Sequence, residues 1–337
     1  MATTIIEGVA IRAIAGAVPA TIRTNADIGG EADRDYVAKM SAAVGVRERR
    51  IVREGQLGSD LAVTAARAAL DALGWDADSI DLLVVATQTP DRLFPGVSFT
   101  LHRQLGLPQS CPVFDINLGC SAFTHGIWTT STLLSGVGRR ALLVNVDTMS
   151  RTLGATDYGN QVLFGDGAAA TALELDDDAP PITAVLISDG KGTESVCFPN
   201  SAMSASPGRS AEFVINGPAV LGLALRSVPR LVAQLLEATG VDPDDVGLFV
   251  PHQANVFILD KLAGRLAIDG SKMLVAMDQL GNTSSCSIPL AMSARRAEVL
   301  ERDRHHVMMI GFGTGFSLSA VLADLDATMF VGTVDVA

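Results

Sequence analysis

An internal repeat constrains the fold more than any other feature of the sequence. Residues 68–89 align with residues 234–255, and Gly74 then falls on Gly240, at an offset of 166 residues. Each copy combines an amphipathic helical pattern, a glycine, an acidic turn and a short apolar run. A glycine after a helical pattern is typical of a helix end, and an uninterrupted apolar run is typical of a buried parallel strand. The two copies therefore predict the same helix–turn–strand unit.

Two more pairs of segments repeat at nearly the same distance. Residues 139–147 align with residues 305–313 at the same offset of 166, and the turn that ends at Cys120 aligns with the turn that ends at Asn282 at an offset of 162. Three aligned segments predict two similar α/β halves related by a pseudo-twofold axis. Two unrelated βαβ units are the alternative interpretation.

The repeat also divides the chain. It predicts an N-terminal half over residues 1–178 and a C-terminal half over residues 179–337, joined through the Asp- and Pro-rich segment 176–181. Alternating strands and helices predict a mainly parallel sheet in each half, with functional residues on the loops that follow the strands. Residues 151–166 have no counterpart of equal length in the second half, so we expect an insertion that covers part of the site.

Composition excludes several classes of protein. The 337-residue chain is 48% hydrophobic, carries a formal net charge of −12 and has an isoelectric point near 4.8. An acidic chain without a basic stripe is not expected to bind nucleic acid or an anionic membrane. The sequence has no run of about eighteen uninterrupted apolar residues that would predict a membrane helix, and its N-terminus does not resemble a signal peptide. We therefore expect a cytoplasmic globular protein.

The four cysteines differ in their local setting. Cys111, Cys120, Cys197 and Cys286 show no CxxC spacing, which disfavours a metal site or a disulfide framework. Cys120 alone follows an apolar strand and a glycine and precedes an apolar helical pattern. At a helix N-terminus, the helix dipole and free backbone N–H groups favour a thiolate and can hold an oxyanion. Cys120 is therefore predicted to cap its helix and act as a nucleophile, whereas Cys111 and Cys197 fit structural packing and Cys286 stays ambiguous.

His252 and Asn282 are the predicted partners of Cys120. His252 directly follows a buried strand, so we expect its imidazole to face a cleft, although a satisfied core histidine is the competing interpretation. Asn282 mirrors Cys120 in the repeat, although asparagine is also a common helix N-cap. Because the three residues follow equivalent strand ends, we expect their side chains to meet at one crevice. A role of Asn282 as a helix N-cap alone does not predict this. The glycine-rich segment 311–315 is able to point a backbone N–H at the same centre.

Six short motifs together resemble those of the β-ketoacyl-acyl-carrier-protein synthase III family, which is part of the thiolase-fold condensing enzymes. They are GVRERR (45–50), DINLGCSAF around Cys120, FGDGAAA (164–170), PHQAN around His252, GNTSS around Asn282 and GFGTG (311–315). The resemblance extends over nearly the whole chain. It implies a thiolase-like α/β fold whose two halves stack as a layered αβαβα structure. An asparagine at 282, where elongating condensing enzymes carry a second histidine, implies the type III branch or its relatives.

The resemblance implies a two-step reaction. The thiolate of Cys120 attacks an acyl thioester to give an acyl-enzyme, and backbone amides hold the oxyanion. The implied amides are those of Cys120, Gly313, Thr314 and Gly315. A malonyl thioester then loses CO2, and its enolate, stabilised by His252 and Asn282, attacks the acyl group in a decarboxylative Claisen condensation that yields a β-ketoacyl product. Neither a metal nor a redox cofactor is implied.

The same resemblance implies substrates and partners. The donor is an acyl-coenzyme A or an acyl group on acyl carrier protein (ACP), the extender is malonyl-ACP or malonyl-coenzyme A, and the pathway is fatty-acid or specialised polyketide-like biosynthesis. Phe94 is expected to reach across a homodimer interface and shape the partner subunit's acyl pocket. Arg265, on the helix after His252, matches a basic position of the family and is expected to contact the acidic carrier protein.

Four positions depart from the family pattern. Lys39 and Ala43 stand where the family usually has a tryptophan and an arginine that grip coenzyme A, and Tyr158 and Phe257 stand where arginines are typical. The four are expected to line one donor tunnel. Without these charged and stacking side chains, we expect the protein to use acetyl-coenzyme A poorly as a donor. An acyl donor held on a carrier protein remains compatible with the sequence. The tail 327–337 has no assigned role.

Other functions stay open from the sequence. An acyltransferase would pass the acyl group from Cys120 to an alcohol, an amine or another non-carbon nucleophile, without the loss of CO2 that condensation needs. A non-catalytic partner subunit of a heterodimeric synthase is less favoured, because such subunits typically lose the nucleophile. A cysteine hydrolase is disfavoured by the duplicated fold.

Overall fold

Two mixed β-sheets, one for each half of the repeat, form the framework of the computed structural model, which describes residues 2–206, 213–300, 306–325 and 329–337. The strands are β1 (Ala2–Ile6), β2 (Val9–Pro19), β3 (Ile22–Thr24), β4 (Glu48–Arg50), β5 (Leu82–Ala86), β6 (Val113–Ile116), β7 (Arg140–Thr148), β8 (Asp166–Leu175), β9 (Ile182–Ser188), β10 (Val196–Cys197), β11 (Val214–Ile215), β12 (Leu248–Pro251), β13 (Val307–Gly313), β14 (Ser317–Ala323) and β15 (Phe330–Val336). The α-helices are α1 (Arg34–Val44), α2 (Gly58–Leu73), α3 (Val97–Leu105), α4 (Ala122–Val137), α5 (Tyr158–Gln161), α6 (Gly217–Thr239), α7 (Val256–Leu266), α8 (Met277–Leu280), α9 (Ser287–Ala294) and α10 (Arg296–Leu300).

The order of the five strands of the second sheet repeats in the first sheet, which adds β6 at one edge. The first sheet runs β15-β2-β8-β7-β5-β6, and the second runs β1-β9-β14-β13-β12. Parallel strands β5 and β7 pair Leu82 with Ala141, and parallel strands β12 and β13 pair Leu248 with Val307. Each residue of the second pair lies 166 positions after its equivalent in the first pair, so the offset found in the sequence recurs in the strand register. The predicted pair of similar α/β halves is confirmed.

Helices cover both faces of each sheet because alternate strand residues point to opposite sides. In β5, Leu82 and Val84 face a central hydrophobic cluster, whereas Leu83 and Val85 face an outer one. The central cluster contains α4 and α9 between the two sheets. The outer clusters pack α2 and α3 on the first sheet and α6 and α7 on the second. The layers therefore follow the predicted αβαβα order.

The expectation of a mainly parallel sheet in each half holds for the first sheet, where β15–β2, β5–β7 and β5–β6 are parallel pairs, and is wrong for the second. Within the described strands of the second sheet, β12 and β13 are the one parallel pair. In the first sheet, β8 is antiparallel to both β2 and β7. The chain passes from β13 to β14 through the turn Thr314–Phe316, which is too short for the crossover helix that a parallel neighbour requires. At the equivalent place the first half has the longer segment 149–165, where the insertion is predicted.

The two terminal strands lie in the sheets of the opposite halves. β1 pairs with β9 in the second sheet, and β15 pairs with β2 in the first sheet. Most of the tail therefore extends the first sheet, while residues 327 and 328 lie outside the described residues. The segment 176–181 connects β8 to β9. The division between residues 178 and 179 stays a prediction.

Helix α6 is long and apolar enough to cross a membrane by length and composition, and it is the one such helix in the described ranges. Its Leu223, Val228, Leu231 and Leu235 are buried in the outer cluster of the second sheet. The helix begins where Asn216 caps it by accepting a hydrogen bond from a backbone N–H of the first turn. Its apolar side therefore forms the outer layer of the second half.

Candidate active site

The carboxyl ends of β6, β12 and β13 meet at a cavity of about 770 Å³. It is bordered by all the residues predicted for the reaction centre: Cys120, His252, Asn282, Gly313, Thr314 and Gly315. Arg151, Thr152, Leu163 and Phe164 of the predicted insertion also border it. The structure thus brings residues of both halves to one site at the strand ends, where α/β proteins commonly bind their ligands.

Cys120 lies between β6 and α4. Ser121 is the N-cap of α4, so Cys120 precedes the cap, and the expectation that the thiol itself caps the helix is wrong. Gly313 lies against the thiol: a Cβ at position 313 would be 2.5 Å from Cys120 Cβ and 2.9 Å from its Sγ. A glycine is therefore needed where β13 passes the nucleophile.

Three donors converge on the sulfur of Cys120. The backbone N–H groups of Cys120 and Thr314 and the hydroxyl of Ser284 donate hydrogen bonds that act to lower the pKa of Cys120. Thr314 precedes Gly315, whose φ of 120° is a conformation that favours glycine. Thr314 is thus the residue of the predicted oxyanion turn whose N–H faces the sulfur.

Burial nevertheless dominates the electrostatics of this thiol. Desolvation raises the pKa of Cys120 to about 12, and the nearby negative charge of Asp147 acts in the same direction, against the three donors. The sequence favours a resting thiolate at a helix N-terminus, whereas burial in the structure favours the protonated thiol, because it penalises the charged form.

His252 follows β12 and is 2% exposed. Its Nδ1 lies 2.7 Å from Ser287 Oγ, and its ring meets that of Phe312 edge-on, with centroids 5.5 Å apart. Burial lowers the pKa of His252 to about 3, so the imidazole is neutral at ordinary pH. The serine hydroxyl can donate to Nδ1 or accept from it, and the donating arrangement places the ring hydrogen on Nε2.

Asn282 is buried, and its side chain is held at both ends. Nδ2 donates to the Ala254 carbonyl at 3.3 Å, and Oδ1 accepts from the Ser284 backbone N–H at 2.9 Å. The second Nδ2 hydrogen has no acceptor among the described residues and remains available to a substrate. The N-cap of α9 is Cys286, so capping of that helix does not explain Asn282.

Sequence reasoning missed Asp147, a buried residue near the end of β7. Its Oδ1 accepts from the backbone N–H groups of Gln88 and Thr89 at 2.9 and 3.1 Å, and its Oδ2 accepts from that of Ser285 at 3.0 Å. It therefore ties the loop after β5 to the segment after Asn282. The sequence contains one feature that points to Asp147: in the repeat it aligns with Gly313, 166 residues later.

Ser284 and Ser287 were also missed. Ser284 donates to the thiol, and Ser287 bonds to the imidazole. Ser284 lies within the GNTSS motif and Ser287 just beyond it, yet no local pattern in the sequence distinguishes a serine that faces the cavity from one that packs.

The predicted contacts to other proteins lie away from the cavity lining. Phe94 is 80% exposed, and the cavity is bordered by its neighbour Leu93 instead. Arg265 is exposed near the end of α7, where Lys261 lies over the ring of Phe257 at 5.5 Å. Their roles stay predictions.

Three of the four departures from the family pattern lie on exposed helix surfaces. Lys39 and Ala43 are exposed on α1, and Phe257 is exposed on α7. Among the described residues, these three do not border the cavity of Cys120. Tyr158 borders a different, smaller cavity. The shared donor tunnel therefore stays a prediction.

The remaining cysteines separate by burial. Cys111 and Cys286 are buried, and burial raises the pKa of each. Cys197 is partly exposed and borders the large cavity, which corrects its assignment to structural packing. Across the described ranges, no group of three His, Cys, Asp or Glu residues is placed to hold a metal ion.

Family models match both halves of the chain. The model described as the C-terminal part of 3-oxoacyl-(acyl-carrier-protein) synthase III matches residues 236–325, and the model of 3-oxoacyl-(acyl-carrier-protein) synthase III matches residues 114–190. The β-ketoacyl-(acyl-carrier-protein) synthase III of Neisseria meningitidis serogroup C is 33% identical over 307 residues, covering 90% of this chain and 95% of that protein.

Solved structures show the same similarity over nearly the whole chain. A 3-oxoacyl-(acyl-carrier-protein) synthase from Burkholderia xenovorans LB400 superposes with a TM-score of 0.95 at 30% identity, covering 99% of each chain. The priming β-ketosynthase of the R1128 polyketide pathway superposes with a TM-score of 0.83 at 28% identity, covering 96% of this chain and 98% of that one. The similarity extends over both sheets of the chain.

Proposed function

The chain belongs to the 3-oxoacyl-(acyl-carrier-protein) synthase III family and is an acyl-thioester condensing enzyme, and from this premise we propose how its residues divide the reaction. The predicted family and the predicted thiolase-like fold are both confirmed. Its reaction joins an enzyme-bound acyl group to a malonyl thioester by decarboxylative Claisen condensation. The observation that carries our assignment is the convergence of Cys120, His252, Asn282 and the Thr314 N–H on one cavity.

In the loading step, Cys120 exchanges one thioester for another. The sulfur loses its proton as it attacks the acyl carbonyl, and the departing thiolate takes up a proton, so the exchange is neutral overall. Negative charge that develops on the carbonyl oxygen is held by the N–H groups of Cys120 and Thr314, which face the sulfur in the resting enzyme. Burial lowers the pKa of His252 and weakens it as a base, which supports a loading step that does not depend on it.

In the condensation step, His252 and Asn282 act as neutral hydrogen-bond donors. The malonyl thioester loses CO2, and the electron pair of the broken C–C bond moves onto the thioester oxygen as an enolate. Nε2–H of His252 and the second Nδ2 hydrogen of Asn282 donate to that oxygen. The enolate carbon then bonds to the acyl carbonyl carbon, and Cys120 leaves as a thiolate that regains a proton from solvent.

Ser287 sets the tautomer that this step requires. Its hydroxyl is the partner of Nδ1 at 2.7 Å, and by donating to Nδ1 it keeps the hydrogen on Nε2. Burial keeps the ring neutral, so a donor is present without a competing positive charge.

We propose that the acyl donor arrives on a carrier protein. Lys39 and Ala43, in place of the aromatic and cationic residues usual in the family, offer little grip on a nucleotide. Arg265, exposed on α7, supplies a positive charge for the acidic carrier protein. Malonyl-ACP is the proposed extender, with malonyl-coenzyme A as the alternative, and the pathway is fatty-acid or polyketide-like biosynthesis.

We also propose a cytoplasmic homodimer that needs neither a metal nor another cofactor for these steps. A phenylalanine that is 80% exposed is unfavourable in water, and burial of Phe94 against a second copy removes that surface from solvent. Its neighbour Leu93 borders the cavity, so such an interface would adjoin the acyl pocket.

Intact-protein mass spectrometry tests the proposal. The enzyme is incubated with a panel of acyl-coenzyme A and acyl-ACP thioesters, with Cys120→Ala as the control. We expect the wild type to gain a mass that identifies the acyl chain, and a larger fraction of the protein to be loaded with ACP donors. The control should gain no mass. Release of CO2 from malonyl-ACP then distinguishes condensation from transfer to an alcohol or amine. No mass gain with any thioester would exclude Cys120 as the acyl carrier.

A further inference from the structure

A second cavity, of about 310 Å³, shares Phe164 with the cavity of Cys120. Its polar lining side chains are those of Arg23, Arg49, Ser150, Tyr158 and Gln161. None of the described residues in its wall carries a carboxylate. The cavity therefore gathers two positive charges without a negative one.

Arg49 is the buried charge of this cavity, at 1% exposure. Its Nη1 donates to Asn25 Oδ1 at 2.6 Å, whereas its Nη2 is buried without a hydrogen-bond partner. Burial lowers the pKa of Arg49 to about 10, the positive charge of Arg23 acts in the same direction, and Asp27 offsets only part of this. A buried guanidinium with an unpaired N–H group is costly, and an anion beside it removes that penalty.

Arg23 has no carboxylate beside it in the cavity wall, although the exposed carboxylate of Asp27, outside the wall, acts on both arginines. Its Nη2 donates to the Asp27 backbone carbonyl and to Gln161 Oε1, both at 3.3 Å, and neither acceptor is charged. Among the residues that the structure describes, neither Arg23 nor Arg49 forms an ion pair.

The closest buried acid in this region is already occupied. Asp166 accepts from the backbone N–H and the hydroxyl of Ser150, at 2.8 and 2.5 Å, and from the backbone N–H of Val52 at 2.8 Å. Burial raises the pKa of Asp166 to about 6, and the positive charge that acts on it is that of Arg151 rather than Arg23 or Arg49. It therefore does not neutralise the two arginines.

We propose that this cavity binds a small oxyanion of the phosphate class between the guanidinium groups of Arg23 and Arg49. Guanidinium groups present planar N–H donors that match the oxygens of such an anion. The unpartnered Nη2 of Arg49 supplies one donor, and the neutral polar groups of Tyr158 and Gln161 complete the wall. An anion here satisfies a buried donor and balances two charges at once.

The bound anion acts on the segment that holds Asn282. A Cβ at Gly165 or Gly281 would lie 3.3 or 3.5 Å from Arg49 Cβ, so the arginine stem packs directly on both. Asn282 N–H donates to the Leu163 carbonyl, and Gly165 N–H donates to the Asn282 carbonyl, at 2.8 and 3.1 Å. An anion that fixes Arg49 thus stabilises the two backbone hydrogen bonds of Asn282. Hydrogen exchange of the Asn282 and Gly165 amides with solvent therefore slows.

Inorganic phosphate is the probe, titrated calorimetrically into the full-length protein with chloride matched for ionic strength. We expect one site whose affinity falls by about tenfold or more in Arg23→Gln, through loss of charge-assisted contacts. Arg230→Gln, an exposed position on α6 with the same change in charge, is the matched control and should bind like the wild type. Arg49→Lys keeps the charge but loses the second Nη, and should also weaken binding.

Coenzyme A, whose phosphates offer the same chemistry, is titrated in parallel. Weakening of phosphate alone by Arg23→Gln identifies a free anion as the occupant, and equal weakening of both identifies a phosphate of the substrate. Equal phosphate affinity in the wild type, Arg23→Gln and Arg49→Lys, or no binding above the chloride control, would overturn the site. These outcomes do not depend on the reaction assigned to Cys120.

Discussion

A methyl group at position 313 would enter the space that the nucleophile occupies. In Gly313→Ala, the new Cβ would lie 2.5 Å from Cys120 Cβ and 2.9 Å from Cys120 Sγ. Carbon atoms in non-bonded contact are about 3.5–4.0 Å apart, so the two groups must separate by about 1 Å. A misplacement of about 1 Å at a reacting atom lowers the rate by about a hundredfold. We therefore expect acyl loading of Gly313→Ala to be about a hundredfold slower than that of the wild type.

The assay is the rate of mass gain on Cys120 in a single turnover with an acyl thioester. Gly136→Ala, within α4, is the matched control, because a Cβ there meets no atom within 4 Å. It should load at the wild-type rate, with helix stability raised by about 0.5–1 kcal/mol. Loading of a folded Gly313→Ala protein at a rate close to that of the wild type would refute the steric argument.

Three further outcomes follow from the electrostatics of the site. Asp147→Asn removes a negative charge that raises the pKa of Cys120, so the thiol should react with iodoacetamide at lower pH than in the wild type; an unchanged or higher pH contradicts this. Ser287→Ala leaves Nδ1 of His252 without its partner, and malonyl decarboxylation should fall by about tenfold while loading stays the same; equal losses in both steps would argue for a structural role. Because the folded pKa of His252, about 3, lies below its unfolded value, the unfolded state gains the proton first on acidification. The stability of the wild type relative to His252→Gln should therefore fall by about 1.4 kcal/mol per pH unit below about pH 6.5 in chemical denaturation. Asp166, whose raised pKa acts in the opposite direction, contributes equally to the stability of both proteins and so cancels in this comparison. If the stabilities of the wild type and His252→Gln change in parallel with pH, His252 is not buried as a neutral ring.

The sequence was sufficient to predict the two halves but not the direction of every strand. The repeat that aligns Gly74 with Gly240 places β5 over β12 and β7 over β13, and these pairs share their register. An apolar run, however, has the same pattern in a parallel and in an antiparallel sheet, so the reversed direction of β8 is not visible in it. Exchange of β1 and β15 between the sheets depends on pairing between distant residues and leaves no local signal.

Residues of the site were predictable where a strand end marks them. Cys120 and His252 each follow an apolar strand, whereas the partner of His252 is a serine 35 residues away, and the partners of Asp147 include one 138 residues away. The charge state of the thiol was not predictable either. A helix terminus favours the thiolate locally, but the raised pKa of Cys120 results from burial between two halves of the chain, which only the folded structure reveals.

The division of the reaction between three residues is tested most directly by measuring acyl loading and malonyl decarboxylation in His252→Ala and Asn282→Ala. We predict that both variants gain acyl mass on Cys120 at about the wild-type rate and release little CO2 from malonyl-ACP. Cys120→Ala, which should gain no acyl mass, is the control for loading. Loss of loading in either variant, or CO2 release at the wild-type rate, would contradict the assignment of the histidine and the asparagine to the enolate.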